Sequence, residues 1–564
     1  MQAGVPNARP RTRVRSNAIE SLTTGFSGTR FATAVFPLVF ALLFLLVVAL
    51  QVASGFLSTE LVRHPDEPAH FVTGVLVFDY LRSGFHQAPL AFAEQFQSQY
   101  PKVAFGHWPP MFYGVQSLWY VVLGAHPRSL VLLLGAVTAA IASLLIVRTT
   151  KRHGLVIGIV TTALFLGTSA VQQATLIVGS DSLVTLFSFL AVLAYIDFMQ
   201  RGRGRSLAVF VLWALLGLLT KGSALSLALF ALLGPVFARR TAVFRSRALW
   251  IAAFAIGAVI GPLYYASLQL GKHGAMSDLV RYLAYPETRL FVLEQFLNLT
   301  SLAVLAVAVV GIRVLVVRNR HDDDLGDRRD DAAAALAWTL AVVGFQVLIP
   351  ITGETRYLLP TVVAVLLLFA EGLHVVGDWL LARARPGLVA PGLLTVGLIA
   401  LYSLWAPFPV LTTGYAAVAR AIPTTDTTPV RVLISSNPQG EGAFVAERLV
   451  HDPTRASYVL RAYKVLVDDD WFGKTYLLKA RTIAEVRDTL HSNGIGFVVV
   501  DDFGQPPASA QPHHQLLHQM LAAYPHEFTL IGRFDINVGG RRVADAVKVY
   551  RRSSNLTTRR GVAG

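Results

Sequence analysis

The chain has no cysteine and little charge: Asp, Glu, Lys and Arg make up 15% of its 564 residues. The first absence excludes disulfides, zinc–thiolate centres and thiol nucleophiles. The second says more. A soluble chain carries about 25% charged residues. A chain that is 54% hydrophobic, with a mean hydropathy of +0.53, has too little polar surface to cover itself. Lipid is therefore its solvent for most of its length. No internal repeat or low-complexity tract is present. The formal net charge of +15 comes from Lys and Arg clustered between apolar runs. That pattern fits loops held against anionic lipid and argues against a nucleic-acid partner.

What is present is a series of apolar runs at 31–53, 129–147, 155–171, 180–199, 206–220, 222–238, 248–270, 294–317, 335–351, 357–376 and 388–410. Isolated spans in lipid must satisfy their own backbone groups, so each reads as a helix. The boundary inside 206–238 is the least defined. The first run follows a polar, arginine-bearing segment (residues 1–30) and is too long for the apolar core of a cleavable signal. Basic clusters follow every second run, among them Arg148, Lys151 and Arg152, then Arg201, Arg203 and Arg205, then Arg239 and Arg240. By the positive-inside rule this alternation predicts a multi-pass cell-membrane protein of about eleven helices with a cytoplasmic N-terminus. It places 54–128, 171–179, 271–293, 352–356 and everything after 411 outside. The mixed-charge run 321–331 reads as a solvated cytoplasmic loop.

Residues 411–555 change character, and a short tail, 556–564, follows them. Buried strands are predicted at 430–434 and 496–500, amphipathic helices at 441–451, 482–493 and 513–524, and further strands at 528–536 and 545–551. Alternating strand and helix indicates a small extracytoplasmic α/β domain. It has no GxGxxG and no P-loop, so nothing marks it as nucleotide-binding. A structural or acceptor-binding role is expected.

Chemistry-bearing residues concentrate in the outer segments. HPDEPAHF (64–71) places the adjacent carboxylates Asp66 and Glu67 between His64 and His70. On a helix starting near Pro65, Asp66 and His70 share a face. Asp66 could simply cap that helix. Alternatively, an acidic pair at a membrane surface can deprotonate a hydroxyl or hold a divalent cation. HWPPMFY (107–113) makes a rigid interfacial turn and presents His107. Asp181, in VGSDSL (178–183), opens the fourth run, where a carboxylate is costly unless it caps the helix, faces water or finds a partner. Lys221, in LLTKGS (218–223), and Arg356 with Tyr357, in GETRYLLP (353–360), stand where spans emerge outside. Either cation could anchor its helix to headgroups by snorkelling or bind a phosphate, for which the planar fork of arginine is better suited. The middles of the spans are almost free of charge, whereas transporters place charges near the midplane.

In order and sidedness these motifs resemble the GT-C superfamily of membrane glycosyltransferases, in the branch holding protein O-mannosyltransferases and lipid A aminoarabinose transferases. The resemblance covers about residues 31–410 and does not extend to the tail. It implies a sugar donor on dolichyl or undecaprenyl phosphate, with Asp66 as catalytic base, Glu67 beside it and Asp181 as the second functional carboxylate. Lys221 and Arg356 would lie near the donor phosphate, with Tyr357, His70 and His107 as further substrate contacts. At His107 the sequence departs from relatives that carry Lys or Gln there, so a phosphate-binding loop lysine has no counterpart. The implied reaction is transfer, with inversion, to a lipid, glycan or protein. A divalent metal is compatible with it but not required. A lipid-linked glycan ligase or polymerase, or a transporter, is the alternative.

Overall fold

The computed structural model describes residues 29–104, 106–270, 286–315, 323–349, 354–383, 386–404, 408–424, 429–468, 476–504 and 511–553. Each predicted apolar run is helical over most of its described length. Among the described residues, six helices are long and apolar enough to cross a membrane: Val35–Ala53, Pro127–His153, Asp181–Arg201, Arg247–Ser267, Gly326–Leu348 and Thr355–Arg383. Two bent pairs raise that to eight: Leu155–Gly167 with Ser169–Leu176, at 60°, and Arg289–Thr300 with Leu302–Leu315, at 89°. The remaining runs form the shorter apolar helices Gly204–Leu218, Gly222–Phe237 and Val389–Leu404. Among the described residues, length and composition alone thus mark six to eight helices or bent pairs as full spans.

The breaks have local causes. Thr168 is extended between the first bent pair. Ser301 adopts a positive φ of 55° between the second, and its hydroxyl caps Val304 N at 3.3 Å. Lys221 is extended, at φ −160°, between Gly204–Leu218 and the turn at Gly222. Its side chain therefore projects from an interruption in helix, not from a helix face. Where Leu302–Ile312 crosses Leu359–Arg383, Gly311 and Gly372 let the backbones touch, and a methyl at either would overlap the other helix. Small residues at crossings are how helices pack in lipid.

Two expectations are corrected. The run 321–331 is not a loop over its described part, because helix Asp323–Leu348 begins there. Its last three carboxylates are paired, although Asp327 stays partly exposed. Asp331 pairs with Arg148 and Arg152, Asp327 with Arg152, and the buried Asp330 with Arg240. Arg328 in turn pairs with the buried Glu371. The acidic residues fit there because the basic ends of neighbouring helices converge on them. Segment 54–128 is also not simply loop: it holds the helices Asp66–Arg82, Pro89–Gln99 and Met111–Leu123.

The C-terminal region is a β-rich α/β unit. Its strands are β1 (Thr412–Thr413), β2 (Val430–Ser435), β3 (Ser457–Arg461), β4 (Val467–Asp468), β5 (Leu477–Leu478), β6 (Phe497–Asp501), β7 (Phe528–Val538) and β8 (Arg541–Arg552). Six form one sheet in the order β1-β7-β8-β6-β2-β3, and β4 pairs with β5. β3, β2 and β6 run parallel, while β8, β7 and β1 are antiparallel. Val432 and Ile434 face helix Pro438–Val450, whereas Leu433 and Val498 face helices Ile483–Ser492 and Pro512–Ala523. Coverage on both faces explains the unbroken apolar stretches Val432–Ile434 of β2 and Phe497–Val500 of β6.

This unit is fastened to segment 54–128. Tyr100 donates to Asp452 at 2.7 Å, Gln99 to the Arg455 carbonyl at 2.7 Å, and Arg455 pairs with Asp79 at 2.9 Å. Glu60 accepts from the amides of Gly414 and Tyr415 at 2.6 and 2.5 Å.

Candidate active site

Helix Asp66–Arg82 begins directly after Pro65, so both carboxylates fall in its first turn, where the helix dipole favours negative charge. Their environments differ. Glu67 is fully buried. Its Oε2 accepts from the amides of Arg63 and His64 at 2.9 and 3.1 Å, and its Oε1 from the amide of Val178 at 3.0 Å. Burial pushes its pKa up, and these three amides pull against that rise. Glu67 thereby ties the start of helix Asp66–Arg82 to the turn preceding helix Asp181–Arg201.

Asp66 is partly open. Its Oδ2 accepts from Arg356 Nη2 at 2.7 Å and lies 3.5 Å from His64 Nδ1. Burial raises the Asp66 pKa, but the Arg356 guanidinium foremost outweighs that and holds it at about 2. The group is an anion at any working pH.

Arg356 sits in the short turn Thr355–Leu358 that leads into helix Leu359–Arg383. Besides Asp66 it pairs with Glu354, and its Nε lies 4.0 Å from Asp181. Asp181, itself buried, accepts from Lys221 Nζ at 2.5 Å. The Lys221 ammonium lies 4.1 Å from the Tyr357 ring centre and the Arg356 guanidinium 5.4 Å from it, so one aromatic ring supports two cations. Glu354 completes the ring of charge, 3.6 Å from His64 Nε2. Beside this cluster lies a cavity of about 430 Å³, lined by His64, Asp181, Glu354 and Arg356 and, on its apolar side, by Ile177 and Phe291.

Of the residues singled out from the sequence, Asp66, Asp181, Lys221, Arg356 and Tyr357 are brought together. His70 stands behind them. Its Nδ1 lies 3.1 Å from the Tyr113 hydroxyl, and its ring stacks on Trp108 at 4.1 Å. Burial and the nearby cations, opposed by Asp66, push its pKa down to about 3, so it is neutral. His107 packs edge-on against the other end of that stack, 4.7 Å from Trp108, and does not line the cavity. Among the described residues, His64, Asp66, Glu67 and His70 do not form a cluster of metal-ligating atoms, since Glu67 and His70 are turned to other partners. Sequence reasoning passed over Glu354, although it stands two residues before Arg356. It also passed over Gly179, where a methyl would come within 3.2 Å of Asp181 Oδ2.

Residues 107–265 match the family model described as dolichyl-phosphate-mannose-protein mannosyltransferase. The matched segment contains His107, Asp181 and Lys221. No curated protein matches the chain. Among solved structures, it is similar to ArnT from Cupriavidus metallidurans bound to undecaprenyl phosphate: 13% identity, TM-score 0.48, 91% of this chain and 98% of that one covered. The apo state of the same protein aligns at 13% identity and TM-score 0.49, over 90% of this chain and 97% of that one. The arabinofuranosyltransferase AftD from Mycobacteria aligns at 15% identity and TM-score 0.44, over 78% of this chain and 35% of that one. Over residues 107–265 the chain is thus similar to the dolichyl-phosphate-mannose-protein mannosyltransferase family.

Proposed function

We propose that this protein moves a sugar from a polyprenyl-phosphate carrier to an acceptor at the outer face of the membrane, with inversion at the sugar. The observation that carries this reading is the convergence of Asp66, Asp181, Lys221 and Arg356, from four separate segments, beside one cavity. The description of the matching family, a dolichyl-phosphate-mannose transferase, supports the donor class.

The geometry suggests an exchange of partners. Arg356 is bound to Asp66. A donor phosphate competes for that guanidinium, which grips two of its oxygens. Asp66 then loses its strongest cationic neighbour and becomes more basic at the moment an acceptor hydroxyl arrives. The hydroxyl proton passes to Asp66, the acceptor oxygen bonds to the anomeric carbon, and the carbon–oxygen bond to phosphate breaks. Polyprenyl phosphate leaves with its added charge held by Arg356 and Lys221. Asp181 keeps Lys221 in place. Tyr357 supports both cations. Glu67 acts as a positioning residue. The N-terminus is cytoplasmic and residues beyond 411 are extracytoplasmic. The C-terminal unit, fastened to the first outer segment, faces the acceptor.

The test is Asp66→Asn, purified in detergent and supplied with polyprenyl-phosphate sugar and envelope extract from a deletion strain. A general base contributes about 10²–10⁴-fold in rate. Loss on that scale, with wild-type thermal stability, is expected. Near-normal transfer would remove Asp66 as the base.

A further inference from the structure

The C-terminal unit carries a second cluster of ionisable groups, well separated in sequence from the first and outside the sugar-transfer chemistry. β2 lies between β3 and β6, and all three run parallel. The chain leaves β2 to one side to form β3 and later returns on the other side to form β6. That reversal opens a crevice at the carboxyl ends of β2 and β6, the usual ligand position in such sheets. Asp502 directly follows β6 at this edge. His514 and His518, one helical turn apart on Pro512–Ala523, both point at it.

His514 Nε2 lies 3.2 Å, and His518 Nε2 2.7 Å, from the same oxygen, Asp502 Oδ1. The three ligating atoms all fall within 4.8 Å of one another. Ligands about 2.0–2.1 Å from a tetrahedral ion stand roughly 3.3 Å apart, so only small shifts are needed to admit one. The second nitrogen of His514 is engaged by the buried Ser435 hydroxyl at 2.7 Å, at the end of β2. Metal-binding histidines commonly have such an outer partner, which fixes the ring and its tautomer. Lys548, on β8, holds the other carboxylate oxygen at 2.9 Å.

We propose that Asp502, His514 and His518 form a binding site for one divalent transition metal, with Zn²⁺ the best match. Two imidazoles and a carboxylate suit a borderline ion and leave its fourth position open. Asp502 and His518 are partly exposed, so that position is accessible to water or an oxygen ligand. Lys548 keeps Asp502 monodentate, and its positive charge opposes a dication.

The experiment uses the full chain in detergent, stripped with chelator and titrated with Zn²⁺ alone by calorimetry. Bound metal is counted after desalting, and Co²⁺ absorption reports the geometry. One equivalent with a tetrahedral Co²⁺ spectrum is expected. Ser435→Ala should weaken binding about 10- to 100-fold, and His514→Ala/His518→Ala should weaken it more. Lys548→Met should bind at least as tightly as wild type. If the double variant does not fold, Asp502→Asn, which changes a partly exposed side chain without altering its shape, serves instead. His64→Ala should bind like wild type. The proposal is overturned if the wild type binds no Zn²⁺, or if the ligand variants keep wild-type stoichiometry and affinity.

Discussion

Replacing Arg356 by lysine separates a phosphate grip from a lipid anchor more cleanly than any other change. Arg356 reaches Asp66, Glu354 and Asp181 from one rigid turn and lies over Tyr357. Lysine has a single charged tip and can satisfy only one of these partners. Losing one charge-assisted hydrogen bond costs roughly 1.5–3 kcal/mol. At 1.4 kcal/mol per factor of ten, donor affinity should fall about 10- to 150-fold. The same loss appears in the pH profile. Burial pushes the Asp66 pKa up, and Arg356 is foremost among the groups that bring it down to about 2. At 1.36 kcal/mol per unit, weakening that contact should raise it by about one to two units. A base must be ionised, so activity falls as pH drops through this value. In the wild type that acidic limb lies below the usable range, and in Arg356→Lys it should move up towards it. The assay is kcat/KM for the polyprenyl-phosphate sugar between about pH 4 and 8, together with direct donor titration. An arginine that only anchors its helix would be replaced by lysine without consequence. Wild-type donor affinity and an unshifted profile would therefore refute the assignment.

Other expectations follow from single side chains. Glu67→Gln turns an amide towards at least one of the three backbone N–H groups the carboxylate now accepts from. Leaving such a donor unsatisfied costs about 1–3 kcal/mol, so thermal stability and activity should fall together, and an inactive variant of unchanged stability would make Glu67 a chemical participant. Arg448 is fully buried and donates to Ser457 Oγ and to the carbonyls of Ala419, Ile422 and Pro423 at 2.6–3.0 Å. Arg448→Ala should destabilise the C-terminal unit by about 3 kcal/mol or more, read as earlier proteolysis of that unit, and unchanged protease resistance would contradict this. A reporter active only in the cytoplasm, fused after residue 420, should be silent, whereas strong signal would reverse the proposed sidedness.

The periodicity of the spans, the helices Pro438–Val450 and Ile483–Ser492, and the strands β2 and β6 were legible because burial on a fixed side, or on both sides, leaves a regular imprint on residue type. β1, β3 and the β4–β5 pair were not, because they are short and only partly buried. The site followed the same division. Asp66, Asp181, Lys221 and Arg356 stood out as charges beside apolar runs. The separate fates of Asp66 and Glu67 could not be read from adjacent positions. They depend on Val178, 111 residues away, whose amide takes one Glu67 oxygen. The pairing of 327–331 was hidden in the same way, since acids read as solvated until their distant arginines are known.

Those arginines have a bearing on how the chain is made. On the proposed topology, Arg148, Arg152 and Arg240 are among the positive charges that would fix helix orientation during insertion, a rule in which acidic residues count for little. In the finished fold each is held by Asp327, Asp330 or Asp331. Synthesis runs from the N-terminus, so their partners do not yet exist when the early helices enter the membrane. One set of side chains thus serves twice in sequence, first as free charges that set direction and later as clasps. Removing the carboxylates should leave orientation intact while loosening the assembled bundle.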